Sequence, residues 1–411
     1  MTKPTTQRQR LTTTAKTATT EPAPKRNVAA LLAGDLRALP VLLALALLVV
    51  FFATQSDVFL SSRNLSNLLV QTVVTGVLAL GIVFVLLLGE IDLSVASISG
   101  LSSVFMSKLA VEMGMPAWIA IVVAILLGAA LGAFTGLWAT RFLVPTFVIT
   151  LGLGLLLSGV QLGILPESGH ISILGTGIEK VAGSYISGIG SWIVLLVAVG
   201  LMAGLKLSDF RRRQAQGLDA AFNKQVLVPV LAFAVIALVL VVVLNLNQGI
   251  PMPVVIFAAL LGGGTYLLNH TRFGLHVYAT GGNTEAARRT GINTNRIKVM
   301  SFALAGGLAG LAGVIAASRL LGVSALSGGG IGGGALLLNA IAAAVIGGVS
   351  LFGGRGRASA ALLGALIIGV VSNGLNLMGV SSEIQLIVTG ALLVAAVTVD
   401  RVVERVTGQI V

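Results

Sequence analysis

VLVPVLAFAVIALVLVVVL, residues 226–244, has no charged or polar side chain anywhere along its length. An α-helix rises about 1.5 Å per residue, so a run of this length covers most of the roughly 30 Å of hydrocarbon in a bilayer. It is apolar on every face and lacks the period-two alternation of a barrel strand. In lipid a helix meets all its own backbone hydrogen bonds, and that is the structure the run specifies. Outward from it, similar runs recur at about 38–54, 67–88, 95–111, 116–139, 144–164, 190–207, 251–268, 299–318, 335–353, 358–379 and 383–399. The third is rich in serine (Ser97, Ser99, Ser102, Ser103, Ser107), and the tenth is open to a partly re-entrant path. The expected fold is an all-α polytopic membrane protein with about 10–12 transmembrane helices. Residues 1–34 read as a disordered cytoplasmic tail and 35–411 as the membrane domain, with cytoplasmic loops at 208–225 and 269–298.

Composition agrees, since 56% of the 411 residues are hydrophobic, 10% are charged and 52 are glycine. The net charge of +12 does not imply nucleic acid in so apolar a chain, where basic residues gather at the edges of spans. With the amino terminus inside, all of the 26 Lys and Arg except Arg63, Lys108, Lys180 and Arg319 fall on the cytoplasmic side. The positive-inside rule therefore favours two cytoplasmic termini in a cytoplasmic membrane. Zero cysteines exclude disulfides and thiol chemistry, and His170, His270 and His276 are too scattered to suggest a metal site. The dipeptide Gly-Lys never occurs, so no Walker A loop exists and the chain does not hydrolyse ATP through one.

Small residues allow helices to approach closely in lipid. They come in runs here: LGLGLLLSG at 151–159, AGGLAGLAG at 305–313 and GGGIGGG at 328–334. The pentapeptides Gly89-Glu90-Ile91-Asp92-Leu93 and Gly347-Gly348-Val349-Ser350-Leu351 each close one apolar run and open another, which suggests an internal pseudo-repeat. In GEIDLS, residues 89–94, the two carboxylates stand between very apolar segments and need partners. Asp92 and Ser94 fit as caps of the third helix, with negative charge favoured by its dipole. The other reading is an intracellular gate held by Asp92, with Glu90 beside it.

The polar connection 270–298 contains a short helix signature at 283–291: Asn283 or Thr284 as N-cap, Glu285 at the positive dipole end, Arg288 and Arg289 towards the other, and Gly291 as stop. Glu285, Ala286, Ala287 and Gly291 match the EAA-x3-G pattern of ABC importer permeases. The whole segment YATGGNTEAARRTGI resembles the version found in sugar permeases of the ribose, galactose and xylose type. SSRNLSNLL at 61–69, GEIDLSVASISG at 89–100 and IAAAVIGGVSLFGGRG at 341–356 extend the resemblance over nearly the whole chain from about residue 40. Glu90, the basic loop FRRRQAQGL at 210–218 and overall length look most like the xylose-transporting members. Leu337, Leu338 and Asn339 depart from the family's usual Glu-Leu-Asp, which leaves no acids there to gate or to contact sugar.

The resemblance implies that Glu285, Ala286, Ala287, Arg288, Arg289 and Gly291 form a coupling helix that docks in a groove on a separate ATP-binding subunit carrying ATP and Mg. Small Ala286 and Ala287 would let that partner approach, and the arginines would meet its carboxylates. It further implies a homodimer, a periplasmic or extracellular sugar-binding protein meeting the polar outer loop 166–190, and lipid contact at Arg211–Arg213. The rival reading is a proton-coupled sugar symporter, for which Glu90 and Asp92 are the candidate acids. An intramembrane enzyme lacks a paired nucleophile and base.

Overall fold

The computed structural model of the chain describes residues 39–217, 221–330 and 334–406; the expected tail at 1–34 lies outside them. The helices are α1 (Leu39–Gln55), α2 (Ser62–Leu86), α3 (Val95–Val111), α4 (Ala117–Phe142), α5 (Thr146–Ile164), α6 (Lys180–Gly183), α7 (Ile189–Ala215), α8 (Val228–Asn245), α9 (Met252–His270), α10 (Arg272–Gly282), α11 (Thr284–Arg289), α12 (Thr294–Leu320), α13 (Gly334–Ile346), α14 (Ser359–Leu377) and α15 (Ser382–Val406). Among the described residues eight helices are long and apolar enough to cross a membrane: α2, α4, α5, α7, α8 with its π-helical lead-in Asn223–Leu227, α9, α12 and α14. Shorter apolar helices lie in α1, α3, α13 and α15. The protein is an all-α polytopic membrane protein.

Two boundaries differ from expectation. The tenth helix does not run to 353: α13 has 13 residues and ends at Ile346, about 20 Å of helix and too short to span hydrocarbon alone. The helix stops where Gly348 adopts φ +99°, and Gly347 lies so close to α14 that a Cβ there would fall 2.0 Å from the Ala360 carbonyl oxygen. At the other site, α7 continues to Ala215, so Arg211, Arg212 and Arg213 are helical rather than part of a loop from 208. Their positive charge suits a helix C-terminus.

Consecutive spans alternate between two ends of the bundle. One end carries Arg63, Lys108, Lys180 and Arg319, together with two small antiparallel ribbons. There β1 (His170–Ser172) pairs with β4 (Gly322–Ser324), with Ile171 opposite Val323, and β2 (Tyr185–Ile186) pairs with β3 (Ile250–Pro251). The segment 166–190, expected as a polar loop, is thus folded down over the helix ends. Ser318 Oγ accepts from Ala182 N (2.7 Å) and donates to Glu179 O (3.0 Å). The opposite, basic end holds the turns 87–94, 143–145, 271–293 and 347–358.

The core is α2, buried over 83% of its most apolar stretch and packed by α12, α14, α13, α9 and α3. The seam between α12 and α4 is made by the expected run at 305–313. A Cβ on Gly306 would lie 2.1 Å from Gly128 O, and one on Gly132 would lie 2.1 Å from Phe302 O, so the two backbones touch. The other glycine runs behave differently. Gly152 and Gly159 face open space, and only Gly154 packs, a Cβ there falling 3.5 Å from Leu93 O. The described part of the run at 328–334 is a turn rather than a helix face, and Gly328 with φ +72° presses on Ala96 O. Asn64 of α2 and Asn373 of α14 exchange amide hydrogen bonds of 2.9 and 3.0 Å inside the bundle.

Candidate functional site

Three segments converge at the basic end: the turn after α2, the α9–α12 connection and the turn before α14. The connection is more ordered than its polar composition suggests. Thr271 Oγ1 accepts from Gly274 N (3.3 Å) and starts α10, a helix absent from the sequence reading, whose buried face is Gly274, Val277 and Thr280. Asn283 then caps α11, its Oδ1 accepting from Ala286 N at 2.9 Å. Gly291, with φ +87°, turns the chain into α12 in a conformation that disfavours any side chain.

On α11 the charged side chains are spent on one another. Glu285 accepts from Arg289 Nε at 3.1 Å and lies 3.8 Å from Arg288, all three more than half exposed. Ala286 is exposed, whereas Ala287 is buried. Of the two alanines expected to face a partner, Ala286 alone is exposed, because Ala287 lies on the inner side of the helix.

α10 joins α11 to the spans through backbone contacts. A Cβ on Gly281 would fall 1.7 Å from Leu87 O, and one on Gly353 would fall 2.7 Å from Gly89 N and 2.8 Å from Gly281 O. Gly354 N donates to Leu87 O (2.8 Å), and Tyr278 Oη donates to Gly356 O (2.9 Å). Gly89, which opens the first echoed pentapeptide, therefore lies against Phe352 and Gly353, which follow the second. The two pentapeptides also share a local device: Asp92 Oδ1 accepts from Ser94 N (2.8 Å), and Ser350 Oγ accepts from Phe352 N (3.2 Å). Each is a side-chain turn to the residue two positions on.

The two acids of GEIDLS have different surroundings. Glu90 forms an ion pair with Lys298 in the second turn of α12 and accepts from Thr146 Oγ1 at the start of α5 (2.5 Å). It thereby ties three segments together. Asp92 is 2% exposed and its bonds stay local: Oδ1 takes both donors of Ser94, the hydroxyl at 2.6 Å, while Oδ2 is buried with no hydrogen-bond partner among the described residues. Burial pushes the Asp92 carboxyl above the usual carboxylate range, against the pull of the Ser94 bonds. Ser94 does occupy the N-cap position of α3, yet its backbone is helical (φ −91°, ψ −14°) and its side chain makes no capping bond, its hydroxyl donating instead to Asp92.

Sequence reasoning counted Lys298 as a topology charge and missed it as the partner of Glu90, and it missed Thr146. Both carry an ordinary signal, a polar residue near the start of a helix. Pairing them with Glu90 requires the fold. A cleft of about 290 Å³ lies beside the pair, lined by Glu90, Thr140, Leu143, Thr146, Arg288 and Lys298 among others. It brings the α11 arginine and the Glu90 ion pair to one surface.

Residues 64–397 match the family model described as "Branched-chain amino acid transport system / permease component". The chain is 39% identical over 300 residues to the xylose transport system permease protein XylH of Escherichia coli (strain K12), covering 72% of this chain and 75% of that protein. It is 38% identical over 290 residues to XylH of Haemophilus influenzae, covering 68% and 75%. To the ribose import permease protein RbsC of Escherichia coli (strain K12) it is 35% identical over 289 residues, covering 70% and 72%. No solved structure matches the chain. The eight long apolar helices, the EAA segment standing as a capped helix at the basic end, and these matches have one reading: the chain belongs to the ABC-importer permease family that includes the xylose and ribose permeases.

Proposed function

We propose that this chain is the membrane-spanning subunit of an ATP-driven importer of a monosaccharide, xylose above all, in the cytoplasmic membrane with both termini inside. Two copies form the pathway. A separate ATP-binding subunit, carrying ATP and Mg, docks on α11, and a soluble sugar-binding protein delivers its cargo to the opposite end. The observation that carries the reading is the placement of α11. It stands exposed at the basic end, and α10 rests backbone on backbone against the turns that open α3 and α14. A partner that moves α11 moves those turns, as alternating access requires. The substrate class rests on the named xylose and ribose relatives.

Within this cycle the Glu90–Lys298–Thr146 contact acts as the inner latch, because it holds α5 and α12 to the turn after α2. Asp92 serves the turn itself through Ser94. Its buried, half-partnered carboxyl is the one feature that favours a proton-coupled symporter instead.

Labelled xylose uptake into vesicles holding this chain, its ATPase and the binding protein separates the two. Uptake that needs ATP and is lost in Glu285→Arg supports the importer. Uptake by this chain alone on a proton gradient, abolished by Asp92→Asn, replaces it with the symporter.

A further inference from the structure

Towards the end with the β-ribbons, α2, α3, α12, α13 and the turn at 326–329 line a second, half-open cavity of about 260 Å³. Its wall mixes polar and apolar side chains. Gln71 and Thr75 come from α2, Ser103 from α3, Arg319 from the end of α12, Ser327 from the turn and Asn339 from α13. Leu320, Leu326, Leu336 and Val74 supply the apolar remainder. Asn339 Oδ1 is buried and has no hydrogen-bond partner among the described residues. Among the described residues no hydrogen bond or ion pair engages the side chain of Gln71 or Arg319. Asn339 Oδ1 is the unmet buried acceptor on this wall, with half-buried Gln71 and exposed Arg319 beside it; such an acceptor costs on the order of 1–3 kcal/mol and points to a ligand that completes it.

We propose that this cavity is a sugar-holding site on the path through the permease, where Asn339, Gln71 and Arg319 bind the hydroxyls of one monosaccharide in transit. The inference rests on the importer reading above and adds the residues that hold the cargo. The chemistry selects the class. An amide carbonyl, an amide NH2 and a guanidinium offer both donors and acceptors, which is what adjacent hydroxyls need, since each gives and takes a hydrogen bond. Among the described residues no carboxylate lines the cavity, so a cationic solute meets no counter-charge from them. At about 260 Å³ the space falls just below the usual range of ligand pockets, roughly 300–1,000 Å³, which suits one small sugar ring and excludes an oligosaccharide. Among the described residues no aromatic side chain lines it, so they offer the sugar no stacking platform, as befits a site that must release its cargo. Asn339 lies on α13, which ends at the turn touching Gly281 and Gly89, so the motion that opens the inner end also moves one wall of the site.

The test uses the complete transporter in proteoliposomes with wild type, Asn339→Leu and Gln71→Leu. Each preparation is checked for monodispersity and for stimulation of ATP hydrolysis by the loaded binding protein. Initial uptake is measured for xylose, ribose and singly deoxygenated xylose analogues. The expected result is at least a tenfold loss of xylose uptake in both variants with ATPase stimulation retained. In addition, the preference of wild type for xylose over one deoxy analogue should collapse in Asn339→Leu, which a general packing defect would not produce. Variants with wild-type uptake and unchanged analogue preference overturn the site and leave the importer reading intact. A wild-type transporter that takes up a branched-chain amino acid and no sugar overturns the importer's substrate class, and the site with it.

Discussion

α8 is the most apolar of the long helices and α2 is less so, yet 11% of the most apolar stretch of α8 is buried against 83% for α2. In water the order would be reversed. In a bilayer the outermost helices face a solvent as apolar as leucine, so hydrophobicity marks contact with lipid and not depth in the protein. The inner helices are recognised by what they can bring close. α3 is buried along nearly its whole length although it carries Ser97, Ser99, Ser102, Ser103 and Ser107. Ser99, Ser103 and Ser107 each donate to a carbonyl three or four residues earlier in α3, and Ser97 pairs with Ser158 of α5.

The sharpest way to break the contrast is to add volume to each shell. Gly306→Leu drives a side chain into the Gly128 backbone, where neither helix can yield, and should cost 3 kcal/mol or more on the scale of core overpacking, about 1–3 kcal/mol. It should reach the membrane poorly, or lose its thermal transition in detergent. Val239→Leu on α8, which is 58% exposed, should shift that transition by less than about 0.5 kcal/mol. If the two cost the same, the assignment of inner and outer shells fails.

Inside the inner shell, polar ties should rank by burial and charge. Lys298→Met leaves Glu90, whose side chain is 22% exposed, with Thr146 alone, and should cost about 1–2 kcal/mol, a figure lowered for that solvent access. Glu90→Gln in the same chain should restore part of it, and a double-mutant cycle without coupling would remove the latch. Asn64→Leu breaks the amide exchange with Asn373 and should cost about 0.6–1.7 kcal/mol, read from the cycle with Asn373→Leu. At the small end, Arg289→Ala loses an exposed pair with Glu285 and should change stability by no more than about 0.5 kcal/mol. Its effect should instead appear as weaker stimulation of the ATP-binding partner.

Much of this was legible from residue order because the bilayer imposes one rule on every span: each apolar run read from the sequence corresponds to a helix here. Capping chemistry was legible too: Asn283 caps α11 with its side chain, and Gly291, which lacks one, takes φ +87° after it. What could not be read was which neighbour each element meets. AGGLAGLAG and LGLGLLLSG are equally small, but Gly306 meets a backbone while Gly152 and Gly159 meet nothing. α10 escaped notice because its apolar side chains, Phe273, Leu275 and Val277, are few and are interrupted by glycine and polar residues that read as a connector. Asp92 drew attention as the acid in need of a partner, while the cation sits on Glu90, a pairing set by a helix some two hundred positions away.

Gly281 against the Leu87 carbonyl is, in mechanical terms, a joint without a spring. Side-chain contacts absorb displacement by changing rotamer, so a push through them arrives late and diminished. Two main chains in contact have no such slack, and the hydrogen bond from Gly354 to the same carbonyl fixes the third member of the joint. A displacement at one end of α10 should therefore reach both turns at once and at nearly full amplitude. The opening stroke is then set by how far α11 is driven, with little lost to compliance along the way.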